Sequence, residues 1–241
     1  MEMIPLPYST VRGFKKPFDM ILVKTMQETT KYLCENIQGC VFGFTQSDEI
    51  TLILIDYKKL TSSAWFDYEV QKMCSIAASM ATMAFNKFFY QNAIVNYANI
   101  AKIDTPDYCA VLERAAEKGA MFDARCFNIP KEEVTNLIYW RQLDATRNSI
   151  QMVGQAYFSH KELQGKMCNM IQDMLHEQKG INWNDYPTVC KRGTAIIYDN
   201  YQNPQSLTNG DIIKGWRIDT EMPILKGKDR KYIDDLIYVG E

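Results

Sequence analysis

Hydrophobic and polar positions follow two different periods near the start of the chain. Apolar residues over 18–37 recur at the three- and four-residue spacing of an amphipathic helix, which is predicted to end near Gly39. Residues 40–55 then place apolar β-forming residues on both sides of a short polar turn. This pattern predicts a buried hairpin with two adjacent carboxylates, Asp48 and Glu49, at its tip.

The same two periods predict the remaining elements. These are a long helix rich in Ala, Met and Ser over 66–91, a helix over 108–118, a strand over 121–129, helices over 131–158 and 161–178, a strand over 194–198 and a short element over 232–239. The order predicts an α+β fold, a palm-like antiparallel sheet with helices packed mainly on one face. Residues 1–200 are predicted to form this core. Residues 201–241 mix Pro, Gly and charge, and are predicted to be a loop-rich C-terminal extension.

Composition is typical of a soluble globular protein. The chain has 241 residues, of which 46% are hydrophobic and 23% charged. No apolar run approaches the roughly 20 residues of a membrane span, and the start has no signal-peptide pattern, so a cytoplasmic protein without a membrane segment is expected. The seven cysteines are unevenly spaced without a CxxC pair, which predicts reduced, mostly buried thiols.

Charge and histidine content exclude several kinds of site. The net charge of −2 argues against non-specific coating of RNA, although a local basic patch would still allow RNA chemistry. Only two histidines are present, so a zinc site or a catalytic triad that needs several of them is not expected.

The hairpin tip is the strongest candidate for chemistry. A carboxylate at this place can hold a divalent metal over a nucleoside triphosphate, as in palm polymerases and nucleotidyl cyclases. The alternative is an ordinary turn in which Ser47 and Asp48 bond to the backbone. A cyclase would favour a G-G-D/E-E-F type of hairpin, which this segment does not contain.

Four segments, in the same order, resemble the tRNA-His guanylyltransferase family. Residues 43–49 read G-F-T-Q-S-D-E, similar to its G-Y-x-Q-S-D-E signature, and residues 12–19, 140–149 and 191–194 resemble three further family segments. The resemblance covers roughly residues 12–200. Thr146 replaces a histidine of the eukaryotic members, which favours the bacterial guanylyltransferase-like, 3′-to-5′ polymerase branch.

This resemblance implies a magnesium-dependent 3′-to-5′ nucleotidyltransferase. Such an enzyme adds GTP-derived or templated nucleotides to the 5′ end of tRNA. GTP and ATP as nucleotides, two Mg²⁺ ions as cofactors and a homotetrameric assembly are expected by the same resemblance.

The resemblance also assigns roles to individual residues. Asp48 is expected to bind metal and, with Glu49, to be catalytic, although adjacent strand residues face opposite sides of a sheet and Glu49 is alternatively a supporting or surface charge. The residues expected to bind the nucleotide are Ser47, Lys72, Arg141, Arg147, Asn148 and Arg192. The plainer alternatives are a solvated lysine and a salt-bridged helix.

The first metal-binding position departs from the family pattern. The resemblance places an aspartate near Met3, where the chain has none, and two prolines, Pro5 and Pro7, oppose a core strand. The metal-binding strand is therefore predicted to be missing. The alternative function is a catalytically impaired palm-fold protein that still binds nucleotide or tRNA.

Overall fold

The computed structural model describes residues 1–6, 13–96, 100, 104–202 and 212–238. Of the residues interpreted above, Pro7, Arg12, residues 203–211 and residues 239–241 lie outside these ranges. The described strands are β1 (Glu2–Leu6), β2 (Cys40–Gln46), β3 (Glu49–Leu54), β4 (Met121–Arg125), β5 (Thr194–Gln202) and β6 (Ile212–Asp219). The described α-helices are α1 (Met20–Asn36), α2 (Val70–Tyr90), α3 (Pro106–Lys118), α4 (Lys131–Tyr157), α5 (His160–Leu163), α6 (Cys168–Lys179), α7 (Thr188–Arg192) and α8 (Lys231–Ile237).

All six described strands belong to one antiparallel sheet in the order β4-β1-β3-β2-β5-β6. The predicted hairpin, β2–β3, lies at its centre and pairs Gln46 with Glu49, so that Ser47 and Asp48 form a two-residue turn. The α+β fold with an antiparallel sheet, predicted from the sequence, is confirmed.

The larger helix layer, α1 and α2, covers one face of the sheet. Its core includes Met3 and Ile50 from the strands, Leu33 from α1 and Phe85 from α2. Gly43 lets α1 approach closely, because a Cβ at this position would collide with the Cys34 thiol. The first glycine of the signature is therefore required by packing.

The second face of the sheet is covered as well. Its core joins Phe42 and Ile53 of the hairpin to Ile138 at the start of α4 and to Ile233 and Ile237 of α8. Predicting helices mainly on one face captured the larger layer but missed this second one. The later part of α4 continues beyond the sheet and packs against α6 in a third core cluster.

The strand predicted to be missing is present, which corrects the sequence interpretation. Strand β1 pairs with β4 over its whole length but with β3 only through Glu2 and Met3. Pro5 lies beyond the β1–β3 ladder, so its missing N–H leaves no unmade bond on that side. The expected aspartate is nevertheless absent, because Met3 occupies its place and is completely buried in the apolar core.

Other boundaries moved in ways that follow from tertiary contacts. The boundary predicted at residue 200 falls inside β5, and the segment beyond it adds β6 to the sheet and α8 to the second core. The predicted helix 161–178 is divided into α5 and α6, and Gly180 ends α6 in the left-handed conformation, as expected. All seven cysteines are free thiols, but only Cys34 and Cys109 are buried. No helix in the described part of the chain is both long and apolar enough to cross a membrane.

Candidate functional site

The hairpin tip presents its polar side chains to solvent. Ser47 and Asp48 are both exposed, while the strand residues that flank them are buried or half-buried. Ser47 has a φ of +48°, a left-handed conformation that is uncommon for a residue with a side chain. The tip is thus a tight, conformationally strained turn that carries a carboxylate.

A cavity of about 280 Å³ opens beside this tip. We call it the Asp48 cavity, and its walls come from the tip, α1, α2, α4 and α7. The apolar wall includes Phe14, Phe18, Leu22, Met26, Phe85 and Met152. The polar lining consists of Asp19, Gln46, Ser47, Asp48, Asn148 and Ser149. A mostly apolar pocket with a few convergent polar groups is the usual form of a small-molecule site.

Asp19 is the buried carboxylate of the Asp48 cavity. It caps the N-terminus of α1 by accepting a hydrogen bond from the Ile21 N–H at 3.0 Å. It also accepts hydrogen bonds from the Lys15 N–H at 3.1 Å and from the Tyr108 hydroxyl at 2.8 Å. Burial and this bond to Asp19 raise the pKa of Tyr108, so Tyr108 remains a donor. These contacts fix the entry of α1 and hold Asp19 at the cavity wall.

Gly193 allows the wall between α7 and β5 to approach the hairpin. A Cβ at Gly193 would lie 2.6 Å from the ring of Phe44 and 2.7 Å from the backbone oxygen of Thr45, and the φ of +84° is strained for any other residue. The glycine of the 191–194 segment is therefore needed to form this wall.

Helix α4 contributes one face to the Asp48 cavity. Ala145, Asn148 and Met152 recur at helical spacing and line it. The Asn148 side chain donates to Asp144 at 3.1 Å, which confirms that these two residues share a helix face. Thr146, which replaces the family's histidine, donates to the Lys191 carbonyl oxygen at 3.3 Å and joins α4 to α7.

Arg147 lies outside the Asp48 cavity although it is adjacent to Asn148. Its guanidinium is exposed and forms an ion pair with Asp144 at 2.5 Å. This is the salt-bridged helix that the sequence analysis gave as the alternative, and nucleotide binding by Arg147 stays a prediction.

Arg141 and Glu49 are not among the residues that line the Asp48 cavity, and they bind each other. The Arg141 guanidinium donates to Glu49 at 3.3 Å and forms a short ion pair with Glu2 of β1. Glu49 also accepts from Gln46 at 3.0 Å. We call Glu2, Gln46, Glu49 and Arg141 the Arg141 network. Burial lowers the pKa of Arg141. The hydrogen bond to Glu2 and the negative charges of Glu2 and Glu49 raise this pKa by a larger amount, so it lies above its usual value.

These positions change the interpretation of both residues. Glu49 does not line the cavity and binds Arg141 and Gln46, which is the position that the alternative of a supporting charge predicts, and a catalytic role for Glu49 stays a prediction. Arg141 is held by two carboxylates, so its expected contact with the triphosphate has no support in the geometry.

Lys72 lies far from Asp48. It precedes Phe85 by 13 residues on α2, which corresponds to roughly 20 Å along the helix at 1.5 Å per residue. Its ammonium group instead lies 4.5 Å from the ring centre of Phe66. The neighbouring Val70 and Met73 line a different cavity of about 520 Å³. The structure therefore does not bring Lys72 to the predicted site.

Arg192 lies next to the wall of the Asp48 cavity. It precedes Gly193, its Nη2 donates weakly to the Thr188 hydroxyl at 3.5 Å, and its buried Nε has no acceptor among the described residues. A guanidinium with an unmade hydrogen bond beside a cavity suits an anionic ligand.

The two-magnesium site implied by the resemblance does not fit the donors that are present. Asp48 offers one exposed carboxylate, Glu49 is engaged by Arg141, and Met3 stands at the expected second position. Within the described ranges, no three His, Cys, Asp or Glu side chains are grouped so that they would hold a metal ion. Among the described residues at the hairpin tip, Asp48 is therefore the exposed carboxylate that could contact a magnesium ion.

Sequence reasoning missed three residues that shape the site. Asp19 carried a visible signal, since an aspartate after Pro17 at the start of a helical pattern is typical of an N-cap, but nothing indicated that it lines a cavity. Phe18 lies in the 12–19 segment that resembles the family, but its place in the cavity, like the ion pair of Glu2, depends on elements distant in the sequence.

Known proteins that are similar to this chain belong to the family that the four sequence segments resemble. The family model described as tRNAHis guanylyltransferase matches residues 7–130. A bacterial tRNA(His) guanylyltransferase (Thg1)-like protein in complex with ATP has a TM-score of 0.78 and 38% identity, with 98% of this chain and 89% of that chain covered. A bacterial protein of the same description in complex with GTP has a TM-score of 0.73 and 35% identity, with 98% and 88% covered.

A viral relative extends the comparison. The protein R259 of Acanthamoeba polyphaga mimivirus, described as uncharacterized, is 31% identical over 195 residues. The alignment covers 77% of this chain, and the chain spans only 64% of that protein. Together these matches confirm the family and the enzyme class predicted from the four sequence segments. The chain belongs to the tRNAHis guanylyltransferase family of nucleotidyltransferases.

Proposed function

We propose that the chain adds nucleotides, GTP foremost, to the 5′ end of tRNA in the 3′-to-5′ direction. The observation that carries this proposal is the Asp48 cavity, whose walls are built from the segments that resemble the family. The solved relatives in complex with ATP and with GTP support a nucleoside triphosphate as its ligand. The family name supports tRNA as the acceptor.

The lining of the cavity suits a nucleotide bound in one orientation. The aromatic and aliphatic wall, with Phe14 and Phe85, offers a dry surface for a base. The phosphates would then extend towards the exposed tip, where Ser47 and the neighbouring Arg192 provide donors. No Lys or Arg is found among the described residues that line the cavity itself, so the charge of the phosphates would be met at its mouth.

The proposed reaction has two steps. Transfer of a nucleotidyl group to the 5′-phosphate of the tRNA releases pyrophosphate and activates this end. The 3′-hydroxyl of the incoming nucleotide then attacks the activated phosphate, and a nucleoside monophosphate leaves. The chain's contribution is to orient the two nucleotides and to exclude water from the apolar wall.

Magnesium dependence, the tetramer and the cytoplasmic location remain proposals. Magnesium is the usual partner of a triphosphate, and Asp48 is the carboxylate that would contact an ion arriving with the nucleotide. A tetramer is supported only by the resemblance. Exposed apolar residues of α2 such as Met83 and Tyr90 are compatible with a subunit contact.

A second candidate function is favoured by one observation. The buried Met3 stands where the resemblance expects the first metal-binding aspartate. This favours a protein that binds nucleotide or tRNA without catalysing the transfer.

Incorporation of labelled GTP onto a 5′-truncated tRNA, in the presence of Mg²⁺, distinguishes the two candidates. We expect incorporation by the wild type and a loss of at least ~100-fold in Asp48→Asn, since Asp48 is the carboxylate that would hold an ion arriving with the triphosphate, and the charge stabilisation by such an ion is typically worth several kcal/mol. Asp173→Asn, an exposed aspartate on α6, serves as the matched control and should keep wild-type activity. GTP binding without incorporation by the wild type would instead support the second candidate.

A further inference from the structure

The Arg141 network lies directly beneath the hairpin tip on the face opposite the larger helix layer. Strand pairing aligns Met3 with Ile50, and both side chains are buried against α1 and α2. Because side chains alternate along a strand, Glu2 and Glu49 face the other side, towards α4. Arg141 reaches this point from α4, one turn before the cavity residue Ala145.

We infer that Glu2 and Arg141 are positioning residues that hold the Gln46–Glu49 turn and thereby fix the direction of Asp48. The inference rests on the proposed function for its catalytic consequence. Glu2 was not a candidate from the sequence, and no comparison assigns it a role.

The contacts connect four elements of the fold around one guanidinium. Arg141 on α4 binds Glu2 on β1 and Glu49 on β3, and Glu49 in turn accepts from Gln46 on β2. Gln46 and Glu49 are the residues immediately before and after the two-residue turn. The network therefore holds both ends of the turn and joins them to a neighbouring strand and a helix.

The charged groups of the Arg141 network depend on these contacts because they are largely buried. The side chains of Glu2, Arg141 and Glu49 are 13%, 24% and 27% exposed. Carboxylates this far from water require partners, and breaking such a pair leaves an uncompensated charge. Two carboxylates share one guanidinium, so removal of Arg141 would leave Glu2 and Glu49 repelling each other under the tip.

The turn itself needs external support. Ser47 has a φ of +48°, and a non-glycine residue keeps such a conformation only when its surroundings enforce it. Asp48 is exposed, so no packing of its own side chain defines its direction. The paired backbone of Gln46 and Glu49 determines where Asp48 points, and the Arg141 network restrains this pair.

Hydrogen exchange tests the inference without any requirement for activity. In Glu2→Gln and Arg141→Gln, we expect the amides of residues 46–50 to exchange at least ~10-fold faster, while those of α6 remain unchanged. Glu177→Gln, an exposed residue of α6, is the matched control and should leave the hairpin amides unchanged. Unchanged exchange at 46–50 in Glu2→Gln would overturn the inference. A uniform increase that includes α6 would overturn it too, because the pair would then support the whole fold rather than the turn.

Kinetics test the consequence for Asp48. Each single variant should lower kcat for GTP incorporation by roughly 10-fold and leave the Kd for GTP within about twofold, and the double variant should resemble either single one because the two residues act as one unit. Multiplying losses, or a raised Kd with unchanged kcat, would contradict positioning. If the wild type incorporates no GTP, the proposed function fails, and hydrogen exchange still decides whether Glu2 and Arg141 hold the turn.

Discussion

The Asp48 cavity and the Arg141 network meet at the same four-residue turn but differ in how their polar groups are used. In the cavity, Asp48 and Ser47 are exposed. In the network, Glu49 and Arg141 are half-buried and bind to each other. Neighbours in the sequence, Asp48 and Glu49, therefore belong to different environments, and Gln46, which lines the cavity and donates to Glu49, connects the two.

This difference shows that residues of one motif have different partners. On α4, Arg141 and Asn148 share a helix face, where Arg141 binds Glu2 and Glu49 and Asn148 lines the cavity, whereas the adjacent Arg147 is exposed to solvent. A motif therefore gives the set of residues at a site, while the pleat and the helical period decide which of them face a ligand.

Substitution of Gly193, in the wall of the Asp48 cavity, should have the largest effect on stability. Gly193→Ala should lower the free energy of unfolding by about 3 kcal/mol, from backbone strain together with the contact with Phe44. Gly119→Ala is the matched control. Its φ of +66° is likewise strained for a residue with a side chain, but its nearest neighbour would be the Asn86 side chain at 3.2 Å, a longer contact than those at Gly193, so a loss of about 1.5 kcal/mol is expected. Urea unfolding measures both, and equal losses would show that the approach of the hairpin at Gly193 is unimportant.

Substitution of Asn148, which lines the Asp48 cavity, should have an intermediate effect on nucleotide binding. Asn148→Ala removes a polar group from the cavity and its hydrogen bond to Asp144, so the Kd for GTP should rise roughly 10-fold, or about 1.4 kcal/mol. Titration calorimetry gives the value. An unchanged Kd would mean that the ligand does not reach this part of α4.

Lys72 should show the smallest effect, because it lies at the other end of α2. Lys72→Ala should change the Kd for GTP by less than about twofold, and the lost contact with Phe66 should cost at most ~1 kcal/mol of stability. A large increase in the Kd for GTP would place the triphosphate near Lys72 rather than at the tip, and would contradict nucleotide binding in the Asp48 cavity.

Most elements of the fold could be predicted from the local sequence pattern. The hairpin, α1, α2, α3 and α4 followed from their periods, since each buries a continuous apolar stripe. Strand β1 was misjudged because Pro5 is permitted where one neighbouring strand has ended. Strand β6 was missed although it directly follows β5 in the chain, because the mixture of Pro, Gly and charge over residues 201–241 is typical of a loop.

The candidate site could be predicted only in part. The turn with Ser47 and Asp48, and the helix with Asn148, were found from their motifs. The ion pair between Arg141 and Glu2 spans 139 positions in the sequence, and no local signal joins them. The location of Lys72 likewise depends on the direction in which α2 crosses the sheet, which residue spacing does not specify.

Titration of GTP into a variant with a blocked cavity shows whether a nucleotide binds in the Asp48 cavity. Val23→Trp should fill the cavity and raise the Kd for GTP at least ~30-fold, or about 2 kcal/mol. Val70→Trp places the same side chain at the second cavity and should leave the Kd within about twofold of the wild type. Circular dichroism and thermal unfolding confirm that both variants are folded. Wild-type affinity in folded Val23→Trp would contradict the account, because the nucleotide would then bind elsewhere.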